Sequence, residues 1–238
     1  MTKRRSPLEV LPRAIGKALA NERYWFVIGG QAVRCIAPYR PSRDVDFGVL
    51  TARDSKQLIQ QLRKAGTVTL IEQAVDTTHL SFEGIDVSVF VLPELAPYTS
   101  DNALTVTGLL ATKVHAILDR GTRRDFFDLY VLLQLGQLGL LECLNALSKV
   151  YSVEVNFGLV LRALAYFDDA EAETPLPGEG ANDWGKVKDF FSTAVAALLV
   201  PPTRPLSIQG RIVDVQLPEV AQKKQAPTKR KAAKRRQR

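Results

Sequence analysis

The chain has 238 residues, 46% hydrophobic and 24% charged, enough for one good core or a core with a smaller satellite domain. No apolar run approaches the roughly 20 residues of a membrane helix, and the basic start "MTKRRSPLEV" leads into no long apolar stretch. Neither a membrane span nor a secretory signal is therefore expected, and the location expected is cytoplasmic. The net charge is +7, yet Val220 to Arg238 holds 9 basic and no acidic residues, leaving 23 basic against 25 acidic before it. Basicity belongs to the tail and not to the body. Cys35 and Cys143 lie far apart without metal-ligand spacing, which fits two buried, reduced thiols.

In chain order, Leu8, Leu11, Ile15 and Leu19 recur at helical spacing, so residues 6–24 are read as a first helix. "YWFVIGG" is a short buried strand ending in glycines, and "QAVRCIA" a helix of two turns stopped by Pro38. "DVDFGVL" is a second strand. "DSKQLIQQLRKAG" is a helix starting at Asp54 or Ser55 and stopped by Gly66. "VTLIEQA" is a strand, and "THLSFEGIDVSVFV" reads as two strands joined at Glu83-Gly84. Beyond Pro93 and Pro97 the pattern turns helical, in "TVTGLLATKVHAILDR", "RRDFFDLYVLLQLG", "LLECLNALSKVY", "NFGLVLRALAYFDDAEA" and "DWGKVKDFFSTAVAALLV". Residues 201–219 are Pro-interrupted surface, and the basic tail is low in apolar residues and expected to be disordered. Strands first and helices afterwards predict an α+β fold.

Asp44 and Asp46 are two apart on a strand, so both leave one face while Val45, Phe47 and Val49 point to the core. Taken alone the pair also fits a solvated strand end. A divalent cation would relieve both the repulsion of two carboxylates and their desolvation. Asp86, on a later strand, is a natural third ligand or base. Gly29-Gly30 follows an apolar strand and precedes a short helix, where backbone N–H groups can hold phosphate oxygens. Ser42 can donate a hydroxyl, and Arg40 or Arg43 can supply positive charge. No GxxxxGK[ST] loop is present. Together these residues describe a triphosphate site beside a metal site.

"GGQAVRCIAPYRPSRDVDFGV" resembles the GG…[S/T]-x-D-x-D signature of the nucleotidyltransferase superfamily that includes DNA polymerase β. Further on, Lys113 and Arg120 are seven apart and share a helix face, and Arg124, Asp125 and Asp128 open the next helix. Asp128 sits among "FFDLYVLL", so it needs a cationic partner, for which Lys113, Arg120 and Arg124 are candidates. This arrangement resembles the helical part of the AbiEii/AbiGii nucleotidyltransferase-like toxins of type IV toxin–antitoxin and phage-abortive systems, to which the MenT toxins are related. The resemblance covers about residues 20–200.

The resemblance implies a nucleotidyltransferase-like mixed sheet flanked by helices. Residues 1–100 would form the core, 101–200 a helical subdomain completing the site, and 201–238 a surface segment and basic tail. Gly29, Gly30 and Ser42, helped by Arg40 and Arg120, would hold the triphosphate. Asp44 and Asp46 would bind Mg²⁺ or Mn²⁺, with Asp86 as third carboxylate. Lys113 would contact phosphate, and Asp125 would be an essential acid or a base. The implied activity is transfer of a nucleotide from an NTP to RNA, with the tRNA 3′ end favoured. A cognate antitoxin is the implied partner, and the tail would be an electrostatic hook for RNA or only a solubilising segment. The alternatives are a nucleotidyltransferase acting on a protein or small molecule, and an inactive binding module of the same fold. The isolated His79 and His115, with Trp25, Tyr98 and Tyr130, are assigned no site.

Overall fold

A computed structural model describes residues 4–42, 44–152 and 156–200. Arg43 and the tail, with the readings placed on them, lie outside the described residues. The expected first helix is two: α1 (Pro7–Val10) and α2 (Arg13–Leu19). Pro12 forces the break, because proline lacks an N–H and pushes the residue before it into extended backbone, as seen at Leu11 (φ −67°, ψ 151°). Strand β1 (Trp25–Val27) leads into α3 (Gly29–Arg34), so the glycines open the helix instead of closing the strand. Then come β2 (Val45–Val49) and α4 (Ala52–Ala65). Helix α4 starts two residues earlier than expected because Thr51 caps it, accepting from the Asp54 N–H.

Strands β3 (Val68–Gln73), β4 (Thr77–Phe82) and β5 (Ile85–Val91) follow as expected. Glu83 and Gly84 both take positive φ (51° and 77°), as a two-residue hairpin turn requires. A 3₁₀ turn (Pro93–Tyr98) and two-residue strands β6 (Thr99–Ser100) and β7 (Ala103–Leu104) were not legible from the sequence. Five of the remaining helices are α5 (Val106–Asp119), α6 (Arg123–Gly136), α7 (Leu140–Tyr151), α8 (Phe157–Leu164) and α9 (Asp168–Ala172), and α10 (Asp183–Leu199) is the last.

The seven strands form one mixed sheet in the order β3-β4-β5-β2-β1-β7-β6. Strand β2 runs antiparallel to β1 and parallel to β5, which sets the carboxylate strand at the centre. The α+β, mixed-sheet expectation therefore holds. Val45, Phe47, Val49, Val87 and Val89 are all buried on the sheet's apolar face, with α4 packed along β2 and β5. One apolar cluster runs from Val10 to Val195. Within it Phe126, Phe167, Trp184 and Phe191 pack ring against ring and fix α10 to α6. Cys35 and Cys143 are buried and free, and burial pushes their thiols up to about 11 and about 12. Among the described residues no single helix is long and apolar enough to cross a membrane.

Candidate active site

The end of β1, the start of α3 and the start of β2 meet at one point. The Ile28 N–H donates to the Asp46 carbonyl at 3.0 Å, and the chain then turns through Gly29 at φ +58°. A Cβ on Gly29 would stand 2.3 Å from Asp46 Oδ2, and one on Gly30 would stand 2.7 Å from Ser42 Oγ. Only glycine fits both places, so bare backbone faces the Asp46 carboxylate and the Ser42 hydroxyl. Gln31 and Ser42 secure the approach to β2: Gln31 Nε2 and Ser42 Oγ donate to the Asp44 carbonyl at 3.2 and 3.3 Å. Sequence reasoning missed Gln31, although it stands directly after the glycine pair.

Asp46 is largely buried, and burial pushes its carboxyl above the ordinary value. The charges of Lys113 and Arg120 pull it back, and that of Asp44 pushes it further up. Among the described residues Asp46 has no ion pair. Asp44, just ahead of β2, is exposed, and Arg124 Nη1 approaches its Oδ2 at 3.8 Å.

Strands β2 and β5 pair Asp46 with Ser88, so Asp86, two residues earlier on the same face of β5, lies toward the Asp44 end of β2, and its side chain is exposed. Among the described residues no three His, Cys, Asp or Glu side chains gather as a metal-binding group. Ser88 instead bonds His79 Nδ1 at 2.9 Å, so His79 is not isolated.

Helices α5 and α6 carry a buried ionic network beside this point. Lys113 is 3% exposed, and Asp125 and Asp128 are both 0% exposed. Lys113 Nζ donates to Asp128 Oδ2 at 2.6 Å and to Asp125 Oδ1 at 3.4 Å. Arg120 forks onto Asp125 through Nε and Nη2 at 2.8 and 3.1 Å, and the Thr122 hydroxyl donates to the same carboxylate. Burial alone would push the Asp125 carboxyl up, but the Arg120 hydrogen bonds and the charge of Lys113 outweigh it and hold the group well below the usual range. A carboxylate so stabilised is a weak base, which argues against a base role for Asp125 and for a role in setting Lys113.

Asp128 finds the cationic partner expected for it, and a second from far away in sequence. Arg40 Nε and Nη2 donate to its Oδ1 and Oδ2 at 2.9 and 2.7 Å, and the Tyr39 hydroxyl donates as well. Burial opposes ionisation of Asp128, while the charges of Lys113 and Arg40 more than offset it and lower its carboxyl. Arg40 was expected at the triphosphate. Its guanidinium is instead committed to Asp128 and stands behind Gly30, 3.2 Å from where a Cβ there would lie. Arg120, also expected at the nucleotide, is likewise turned onto Asp125, although about half of its side chain stays exposed.

A family model described as nucleotidyl transferase AbiEii toxin, type IV toxin–antitoxin system, matches residues 67–197, more than half of the chain. The chain belongs to the AbiEii family. It is accordingly a nucleotidyltransferase, and Lys113, Asp125 and Asp128 lie inside the matched stretch, whereas Gly29 to Asp46 precede it. This AbiEii chain is 28% identical over 200 residues to the uncharacterized protein aq_aa25 of Aquifex aeolicus (strain VF5), covering 80% of this chain and 95% of that one. Its fold is similar to the crystal structure of a provisionally named nucleotidyltransferase from H. pylori, with TM-score 0.50 and 16% identity over 79% of this chain and 92% of that one. The crystal structure of JHP933 from Helicobacter pylori is another neighbour, with TM-score 0.48 and 14% identity over 77% and 87%.

Proposed function

We propose that this AbiEii-family nucleotidyltransferase moves a nucleotide from an NTP onto the 3′ end of an RNA, tRNA foremost, in a metal-dependent reaction that makes it a toxin held in check by a cognate antitoxin. The observation that carries the reading is the close approach of Gly29 and Gly30 to Asp46 and Ser42, with the charge of the buried Lys113 acting on Asp46.

The residues fit a hard divalent cation, Mg²⁺ or Mn²⁺. Asp46 on β2 and Asp44 just ahead of it offer carboxylate oxygens, and Asp46 is desolvated without an ion pair among the described residues. When bound, the cation would offset charge on the attacking hydroxyl and on the departing pyrophosphate. Gly29 and Gly30 let phosphate oxygens come close to backbone, and Ser42 donates its hydroxyl to them. Lys113 neutralises charge that builds on the triphosphate. Asp125 and Asp128 keep the Lys113 ammonium in place, and Asp128 holds the segment bearing Tyr39 and Arg40 that leads into Ser42. The acceptor oxygen forms a bond to the α-phosphorus while the bond from that phosphorus to pyrophosphate breaks.

The deciding experiment incubates the protein with each radiolabelled NTP and bulk tRNA, with and without a chelator. Label should enter tRNA, should be lost with the chelator, and should be lost in Asp46→Ala. The RNA reading falls if no NTP labels tRNA, or if Asp46→Ala labels it as well as wild type does.

A further inference from the structure

Helix α4 has two unlike faces. Ser55, Leu58, Ile59 and Leu62 are buried, while Arg53, Lys56, Gln57, Gln60, Arg63 and Lys64 are exposed. Among the described residues none of its four cations makes an ion pair. Its one acid, Asp54, is engaged at the helix start, accepting from Thr51 Oγ1 at 2.7 Å. Solvated helix faces ordinarily carry acids three or four residues from such cations. Here those positions hold Gln57, Gln60 and Gln61. The adjacent α2 adds exposed Arg13 and Lys17, one turn apart and also outside any ion pair among the described residues. This positive surface belongs to a chain that, up to Glu219, holds 23 basic and 25 acidic residues.

Helix α4 lies on the sheet face opposite the one Asp46 leaves and runs back along β2, so its row of cations leads to the end of the sheet where Asp44 enters β2. Past its C-terminus the Thr67 N–H donates to Glu83 Oε1, and the Glu83–Gly84 turn opens β5, which runs parallel to β2. Lys64 therefore lies at the end of the sheet where Asp44 leads into β2. From Arg53 to Lys64 the row extends about 16 Å at the helical rise. It carries no large apolar side chain of the kind that anchors a protein partner. A row of Arg and Lys with interleaved amides suits successive phosphates, where cations neutralise charge and amides bond sugar and phosphate oxygens.

We propose that the exposed face of α4 docks the phosphate backbone of the acceptor RNA, so that its terminal hydroxyl reaches over this end of the sheet to Asp46. The proposal rests on the RNA-transfer reading. Its test uses the full-length chain carrying Arg53→Gln, Lys56→Gln and Lys64→Gln together, all at exposed positions. Binding of fluorescent bulk tRNA is followed by anisotropy as salt rises, and transfer onto a short oligonucleotide acceptor is measured in parallel. The variant should bind tRNA at least about 10-fold more weakly at low salt. The slope of log affinity against log salt should flatten by about 2–3, the share of three lost phosphate contacts. Transfer to the short acceptor should stay at the wild-type level.

A second variant, Gln57→Glu with Gln60→Glu, keeps every cation and should weaken tRNA binding in the same direction. Unchanged tRNA affinity and slope in both variants overturns the proposal, as does a wild-type protein that binds no tRNA, or variants that lose only an acidic protein partner. If wild type transfers to no RNA yet binds tRNA through α4, the transfer reading fails and the surface stands. If transfer occurs and the variants bind normally, the reverse holds.

Discussion

Asp46 is held in a state that suits a ligand better than it suits the folded chain alone. Burial raises its carboxyl, so ionised Asp46 costs stability at neutral pH. Asp46→Asn removes that charge with little change of shape. The melting temperature, read by differential scanning fluorimetry in chelator, should rise, while nucleotide transfer should fall by about 100-fold or more. Asp128 has the opposite sign. Its folded carboxyl is lowered, so its contribution is present above the unfolded value of about 3.9 and is lost as pH falls below that toward the folded value. Asp128→Asn strands Lys113 and Arg40 and should cost about 3–5 kcal/mol at neutral pH in urea denaturation. Asp125, lowered in the same way, still titrates in the variant, so the acid-side loss should become shallower without vanishing. The sequence showed that Asp128 needed a cation and that Lys113 was a candidate. It could not show Arg40, 88 residues away, because nothing local to either residue marks that contact.

At the level of elements, what could be read was what repeats. The apolar periodicity of α4, α5, α6 and α10 and the alternation in β4 and β5 run long enough to declare themselves. Strands β6 and β7 have two residues each, too few for any alternation. Register was the costlier blind spot. Asp86 was expected as a third carboxylate from its place on a later strand, yet the register of β5 against β2 decides which side chain stands next to Asp46, and it is Ser88, two residues past Asp86. Asp86→Ala should therefore keep transfer within a few-fold of wild type in the labelled-NTP assay, while Asp46→Ala abolishes it. The glycine pair was legible because its requirement is steric: no other residue fits between the β1–α3 turn and the carboxylate.

The molecule carries its net positive charge unevenly along the chain. The 9 basic residues from Val220 to Arg238 lie outside the described residues, and on the proposed RNA reading their charge is a second candidate source of attraction beside α4. Truncation after Val200 should lower tRNA affinity and flatten its salt dependence, while melting temperature and transfer to a short oligonucleotide stay unchanged. Filter binding across salt, set beside a thermal melt, checks both halves. A truncated protein with wild-type salt dependence would leave the tail as a solubilising segment.

The Asp128 clamp has a consequence for the order in which activity can arise. Gly29, Ser42 and Asp46 are synthesised early, but Lys113 and Asp128, which complete and brace their surroundings, come from α5 and α6. A polypeptide still on the ribosome, or released before Val106, owns the carboxylates and has no ammonium to place beside them. A nucleotidyltransferase assembled this way completes its candidate site only once α5 and α6 have been made.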